Sequence, residues 1–395
     1  MSAGVNRAPD ASALTETDAA FVARLQAITE RLAETAEHYD ETAEFPHANF
    51  RLLHEHDLLG LTVERSLGGG GGDLKKAQQV ISAVARGEPS TALILVMQYI
   101  QHARIREVRN WPEPLYRRVA LDATRNGALI NALRVEPDLG SPSRGGLPAT
   151  VARRTAEGWR VSGRKIYSTG SHGLTWLNVW GRSDDADPLV GVWLVPKDSP
   201  GVSVVEGWDH LGMRATSSHD VIFDDVLVPL DHAVNTSPAS APQPELDATG
   251  LLWMSVLLSS VYDGIAQSAR DWLVDFLEQR TPSNLGASLS TLPRFQEALG
   301  HIDTLLFANR TLLESATHGL TPAGHAAQIK YLVTSNAIRA VELAIEATGN
   351  PGLSRSNPLQ RHYRNVLCGR VHTPQNDVVL QGVGKAVFAG RSGKQ

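Results

Sequence analysis

From Thr17 onward the apolar positions Phe21, Leu25, Ile28 and Leu32 fall three and four residues apart, which places them on one face of a helix. Pro46 ends that pattern. Phe50, Leu52, Leu53, Leu58 and Leu59 predict a short helix closing at Gly60, then an extended Leu61-Thr62-Val63, then a flexible turn at the glycine run Gly68 to Gly72. Helices are predicted from Leu74 to Arg86, from Pro89-Ser90-Thr91 through the apolar body Leu93 to Ile105, and from Pro114 to about Arg125. At Ala128 the period changes. Short β-branched and aromatic runs at Ala128 to Leu133, Ala152, Val161, Trp176 to Trp180, Val190 to Val195 and Val202 to Glu206 are separated by turn residues and read as strands. The stretch Leu211 to Pro229 is turn chemistry in its first half and strand chemistry in its second, where Val221, Phe223, Val226 and Val228 run up to Pro229. Beyond Pro238 to Pro244 helical spacing returns in four segments: Ala248 to Gln279, Pro293 to His318, Pro322 to Thr348, and Pro358 to Ala389 with a break near Pro374.

Helix, then sheet, then helix predicts an α+β fold. Its expected parts are a flexible tail (1–16), an N-terminal helical domain (17–127), a middle antiparallel β-barrel-like domain (128–236), a linker (237–246) and a C-terminal four-helix bundle (247–395). Helices apolar on more than one face predict a partner, hence a homodimer or homotetramer.

Composition narrows the function. A net charge of -5 over 395 residues, without a basic run, gives no reason to expect nucleic acid or an anionic membrane as partner. The single Cys368 rules out an internal disulfide framework and suits a reducing compartment. No apolar run reads as long enough to span a bilayer and no signal pattern opens the chain, so the expectation is a cytoplasmic protein. The run Gly68 to Gly72 continues as Asp73-Leu74-Lys75, without the Gly-Lys-Ser/Thr that a nucleotide phosphate needs. His54-Glu55-His56-Asp57 lacks the helical metal spacing, so no metal site is expected, and no Gly-x-Ser-x-Gly supports a hydrolase. Gln98 and His102 stand four apart on one helix face, where His102 is either a hydrogen-bonded core residue or a chemical one.

Three stretches then carry a resemblance: Glu136-Pro137 with Gly140-Ser141, Gly163-Arg164-Lys165-Ile166-Tyr167-Ser168-Thr169-Gly170, and Leu211 to Pro229. Together, and in this order along nearly the whole chain, they resemble the acyl-CoA dehydrogenase superfamily, with its flavin-dependent monooxygenase branch the closest pattern. The resemblance implies a flavin, FAD in the first instance with FMN as the alternative. It implies Thr169 as the hydroxyl at the flavin N5, Tyr167 as the ring neighbour, and Arg134, Val135, Gly140 and Ser141 as further cofactor residues. Val135 replaces the hydroxyl that the family directs at the flavin pyrimidine, so one hydrogen bond is expected to be missing. Arg280 and Thr348-Gly349-Asn350 match the family's grip on the adenine half of FAD, which comes from a neighbouring subunit, with one glycine lost; Arg280 also reads as a plain helix-end cation.

The family's catalytic acid is absent. Tyr363-Arg364-Asn365 is followed by Val371-His372-Thr373-Pro374, so Thr373 falls where the Glu would stand, and the alternative position falls near Met254. His372 beside the vacant place resembles the monooxygenases, which use reduced flavin and dioxygen through a C4a-hydroperoxide. An unperturbed imidazole titrates near pH 6.5 and suits that proton handling; the other reading of His372 is a cap around the Pro374 break. The resemblance therefore implies His372, Thr169, Ser168 and His102 as catalytic residues and Gln98, Tyr99 and Trp253 as pocket lining. It also implies a small-molecule substrate and a separate flavin reductase, since no nicotinamide fingerprint is present. Two alternatives stay open: an acyl-CoA dehydrogenase with its base relocated to Glu346 or Glu136, and a non-catalytic assembly protein.

Overall fold

The computed structural model describes residues 17–139, 146–241 and 247–392. Six helices come first: α1 (Asp18–Ala33), α2 (Ala36–Thr42), α3 (His47–Glu55), α4 (Leu74–Gly87), α5 (Pro89–Val108) and α6 (Glu113–Asn126). Thr17 caps α1 by accepting the Ala20 N–H at 3.3 Å, and buried Glu88 caps α5 by accepting from the Ser90 and Thr91 backbone. The glycine run is not a flexible turn. Gly70 N, Gly71 N and Gly72 N donate to the carbonyls of Gly60, Val63 and Leu61, and a Cβ on Gly69 would come within 2.3 Å of the Val63 carbonyl oxygen. Leu61-Thr62-Val63 is correspondingly a turn rather than an extended segment. With those N–H groups spent on backbone, the run offers no phosphate cradle.

The sheet has eight strands: β1 (Leu129–Leu133), β2 (Val151–Arg154), β3 (Trp159–Lys165), β4 (Leu174–Ser183), β5 (Leu189–Pro196), β6 (Val202–Val205), β7 (Asp220–Val228) and β8 (Ala233–Pro238). Their order is β6-β7-β3-β2-β4-β5-β8, with β1 also on β4. The expected antiparallel character holds for most ladders, but β1 and β2 both pair parallel to β4, Leu133 opposite Val179 and Val151 opposite Arg182. For β1, which arrives from α6, no hairpin joins it to β4 to impose an antiparallel direction. Asp225, at φ 51, bulges β7 and accepts from Arg160 at 2.8 Å. The sheet runs on through Pro238, into what the sequence reads as linker.

The C-terminal helices are α7 (Ala248–Gln279), α8 (Pro293–Thr317), α9 (Ala326–Thr348), α10 (Leu359–Leu367) and α11 (Asn376–Ser392), the last two separated by a 3-10 turn at Cys368–Arg370. α7 is long and apolar enough to cross a membrane by length and composition, contrary to the reading of the sequence. Here that apolar surface is covered instead by α4, α5, α8, α9 and α10, with Val256, Leu257, Val261, Ile265 and Leu273 buried. α11 keeps only Val379 buried and leaves Leu380, Val387 and Phe388 exposed.

Candidate functional site

Two loops meet where the resemblance pointed. The first, after β3, carries Tyr167, Ser168 and Thr169; the second, before β7, carries Met213 to His219. They are tied by backbone bonds from Ser168 N to His219 O (3.1 Å), Gly170 N to Thr216 O (2.8 Å) and Ser171 N to Ser217 O (3.0 Å). Tyr167 (φ 54), Met213 (φ 54) and Ser217 (φ 48) all sit in the left-handed region. Each such non-glycine residue costs about 1–3 kcal/mol, strain that collects at functional sites.

The strain aims a row of hydroxyls. Ser218 Oγ donates to Thr169 Oγ1 at 3.1 Å and pairs with Thr216 Oγ1 at 2.8 Å, while Thr216 Oγ1 also reaches the Met213 carbonyl at 2.9 Å. Each hydroxyl carries one proton, so when Thr216 supplies the one shared with Ser218, Ser218 donates to Thr169 and the Thr169 proton is left to point outward. Asn131 of β1 donates from Nδ2 to the Thr169 carbonyl at 2.9 Å, and Ile166 N donates to the Val135 carbonyl at 3.0 Å, so Val135 lies alongside this loop. Ser168 is buried and its Oγ has no hydrogen-bond partner. Tyr167 stays 55% exposed, edge-on to Trp208 and His210, which stack on each other at 3.6 Å. On the far side His172 Nδ1 meets Ser217 Oγ at 2.8 Å, and His172 and His219 line a recess of about 600 Å³ with Phe45, His47 and Trp208.

Other expectations are corrected. Gln98 bonds the Leu59 and Ala128 carbonyls and the Ile130 N–H, and Tyr99 OH donates to Leu58 O at 2.7 Å. Both are fully buried with their polar atoms spent on backbone, so they hold α5 to its neighbours instead of lining a pocket. Trp253 is packed in the main core. Arg134 turns its guanidinium over Trp180 at 5.3 Å, so only its backbone stays with Val135. Gly140 and Ser141 lie outside the described residues. His102 is buried, its Nε2 has no partner, and burial pulls it down to about 4.

Neither acid offered as a relocated base is available. Glu136 is 2% exposed and Lys165 0% exposed; Lys165 Nζ donates to Glu136 Oε1 at 2.6 Å, and the carboxylate also accepts from Ala149 N, Thr150 N and Thr150 Oγ1. Burial alone would raise Glu136, but these hydrogen bonds outweigh it and hold the carboxyl below its usual range. Glu346 is exposed and paired with Arg339 at 2.8 Å.

The adenine-side residues converge in part. Arg280 ends α7 and Gly349 ends α9, and both line a recess of about 460 Å³ with Phe276, Arg294 and Thr348. Gly349 takes φ 63 and ψ -136, a conformation for glycine alone, while Asn350 starts the following turn outside the lining. His372 lies beyond α10, with its ring 5.7 Å from that of Tyr262. Burial first, and the Lys330 charge second, pull it down to about 4, so it is neutral at pH 7 rather than poised near 6.5. The α10 end reaches the hydroxyl loop through Met213 N, which donates to Asn365 Oδ1 at 2.7 Å; a Cβ on Gly212 would come within 2.3 Å of the Arg364 carbonyl oxygen. The residues present fit a flavin: an exposed aromatic on strained backbone, a threonine hydroxyl beside it, and an orphaned buried Ser168 Oγ.

The comparisons with known proteins agree along the whole chain. Family models described as the acyl-CoA dehydrogenase N-terminal, middle and C-terminal domains match residues 15–105, 134–226 and 256–376. The "Putative acyl-CoA dehydrogenase YdbM" of Bacillus subtilis (strain 168) is 32% identical, covering 93% of this chain and 96% of its own length. The L-evernosamine nitrososynthase of Micromonospora sp. is 29% identical over 92% of this chain and 89% of its own. A solved structure of KijD3 in complex with FMN and dTDP-3-amino-2,3,6-trideoxy-4-keto-3-methyl-D-glucose superimposes with a TM-score of 0.81 at 27% identity, covering 93% of each chain. Carrying the three domains in order and a relative of that identity over nearly its full length, the chain belongs to the acyl-CoA dehydrogenase family.

Proposed function

We propose that this protein is a flavin-dependent monooxygenase built on the acyl-CoA dehydrogenase scaffold, acting on a small molecule and oxygenating a heteroatom, nitrogen being the first to test. The observation that carries the reading is the state of the acids. By the resemblance, the two places where the family keeps its base fall at Thr373 and near Met254, Glu136 is locked against Lys165, and Glu346 faces solvent beside Arg339. α-Proton removal from a thioester needs a free carboxylate over the substrate. A neutral His372 can do other work. The nitrososynthase relative and KijD3 support the same direction.

A reduced flavin bound here would supply two electrons and the activation of dioxygen. The chain's residues do the rest. Thr169, with its proton free to point outward because Ser218 donates to it, holds the reacting oxygen side in place. Ser168 Oγ supplies a second hydroxyl without a competing partner. His372 would exchange a proton with the reacting oxygen, and Tyr167 with Trp208 would supply the aromatic surface beside the flavin. FAD is favoured, with the recess at Arg280 and Gly349 receiving the adenine half of the FAD of a neighbouring subunit. A separate reductase supplies the reduced flavin, and the chain works as a homodimer or homotetramer through faces such as Phe307 and Phe388.

The test is single turnover of the flavin-loaded protein, reduced anaerobically and then mixed with oxygen and a panel of amino and aromatic substrates. Oxygen-dependent product bearing ¹⁸O from labelled dioxygen is expected. Anaerobic dehydrogenation of an acyl-CoA with an artificial acceptor, and no oxygen incorporation, would restore the dehydrogenase reading. Val135→Thr should return the missing hydrogen bond at the pyrimidine side and tighten flavin binding by about 0.5–1.5 kcal/mol, read by flavin titration.

A further inference from the structure

Behind the loops that carry Tyr167 and Thr169, two imidazoles lie together with ring centroids 4.6 Å apart. His172 follows Thr169 in the same turn, and His219 stands at the entry to β7. Gly173 lets that turn close in: a Cβ there would lie 2.0 Å from the Phe45 ring, in the segment between α2 and α3. Each ring spends its Nδ1 on a different part of the cradle. His219 Nδ1 accepts from the backbone N–H of Gly207 at 3.1 Å and of Trp208 at 3.2 Å, which fixes the ring proton on Nε2. His172 Nδ1 meets Ser217 Oγ at 2.8 Å, while its Nε2 looks toward Glu206 Oε1 at 4.0 Å. A carboxylate on that side favours the proton on Nε2, leaving Nδ1 to accept from the Ser217 hydroxyl.

Ser217 is a residue that needs a tie. It is fully buried at φ 48 and ψ 50, left-handed without being glycine. Its carbonyl accepts from Ser171 N at 3.0 Å and Ser171 Oγ at 2.6 Å, and its neighbour Ser218 aims Oγ at Thr169 Oγ1, 3.1 Å away. On the other branch Trp208 stands edge-on to Tyr167, centroids 6.3 Å apart, and donates from Nε1 to the Met213 carbonyl at 3.1 Å. We propose that His172 and His219 are positioning residues of the flavin cradle. The Nδ1 lone pair of His172 holds Ser217, and through Ser218 the Thr169 hydroxyl; that of His219 holds Trp208, and through it the Tyr167 ring. Among the described residues neither ring bonds Thr169 or Tyr167 itself, so each acts through its partner. The inference rests on the reading of Thr169 and Tyr167 as the flavin-facing residues.

The surroundings keep both lone pairs available at pH 7. Burial first, then Lys197, hold His172 below its ordinary value, with Glu206 opposing and His47 adding. Burial first, then His172, hold His219 down, with Glu206 and Asp220 opposing. Glu44 and Asp209 complete the charged lining of the recess that the rings share. A proton on His219 Nδ1 would face two N–H donors, so acid should release Trp208.

The experiment compares the full-length wild type with His172→Phe and His219→Phe, which keep a ring and remove the acceptor. His172→Asn and His219→Asn place an amide oxygen where Nδ1 stood, and Ser217→Ala removes the first bond from its other end. In the flavin-free protein, amide hydrogen exchange at Gly170 and Ser171 should quicken by about tenfold or more in His172→Phe and Ser217→Ala, and at Trp208 in His219→Phe. The Asn variants should stay near wild type. With FAD added, the ¹⁵N resonance of flavin N5 should move toward its free-solution value in His172→Phe and Ser217→Ala but not in His219→Phe. FAD affinity should fall about tenfold in both Phe variants, the loss expected for one hydrogen bond. Wild-type affinity should also fall below about pH 6.5, and that acid limb should be absent in His219→Asn. Asn variants as defective as the Phe variants overturn the acceptor role. An N5 resonance unmoved in both His172→Phe and Ser217→Ala overturns the positioning of Thr169. If exchange responds as expected while wild type binds no flavin, the two ties stand and the fault lies with the flavin reading alone.

Discussion

Glu136→Gln is expected to destabilise the protein by about 3–5 kcal/mol. The substitution leaves Lys165 charged in a site where its side chain is 0% exposed, and breaking one partner of a buried pair costs that much because the survivor is uncompensated. It also weakens what Ala149 N, Thr150 N and Thr150 Oγ1 donate to, and these bonds tie β1's exit to the start of β2. Thermal unfolding followed by tryptophan fluorescence reads the effect, since Trp159, Trp180 and Trp193 lie in the same sheet. The double variant Glu136→Gln with Lys165→Met should recover most of the loss, because no charge is then stranded. The acid dependence has a definite sign. Glu136's folded pKa is held below its ordinary value, so the stability it contributes is complete above about pH 4.5 and is lost as pH falls through the lower folded value. A Glu136→Gln protein that melts within a degree of wild type would show that the pair is not what holds Glu136, Ala149 and Thr150 to β3.

His372→Ala should lower oxygen-dependent product formation by about 10²–10⁴-fold while flavin stays bound, the range lost with a positioned acid or base. The residues proposed to cradle the flavin lie on the sheet side, at Val135, Tyr167 and Thr169, so truncating a side chain beside Tyr262 leaves them in place. The wild-type rate should show no inflection near pH 6.5, because burial and the Lys330 charge have pulled the imidazole to about 4. Steady-state rates from pH 5 to 9, with flavin content measured at each point, check both statements. Loss of flavin in step with activity would instead make His372 a residue of the fold.

The sheet carries a lesson about what alternation can reveal. Val221, Phe223, Val226 and Val228 announce β7, and the Asp224-Asp225 interruption coincides with its bulge. The parallel ladders of β1 and β2 on β4 are not visible in any local pattern, because strand direction follows from where the chain comes from. Asn131 and Ser218 escaped notice for a related reason. One buried amide and one serine among several have no spacing signature, and their role appears only when β1 and the 213–218 loop are laid against Thr169.

The sequence by itself determined the helix–sheet–helix order, the ends of most elements and the family, because periodicity, caps and turn residues act over a few neighbours. Only the tertiary structure decided which polar groups are free to act. Gln98, Tyr99 and Glu136 are consumed by partners distant in sequence, while Ser168, Tyr262 and Lys330 are buried with little or nothing to bind. Whether a side chain is spent or available depends on burial and pairing across segments, and those are set by the packing of the whole chain rather than by any stretch of it.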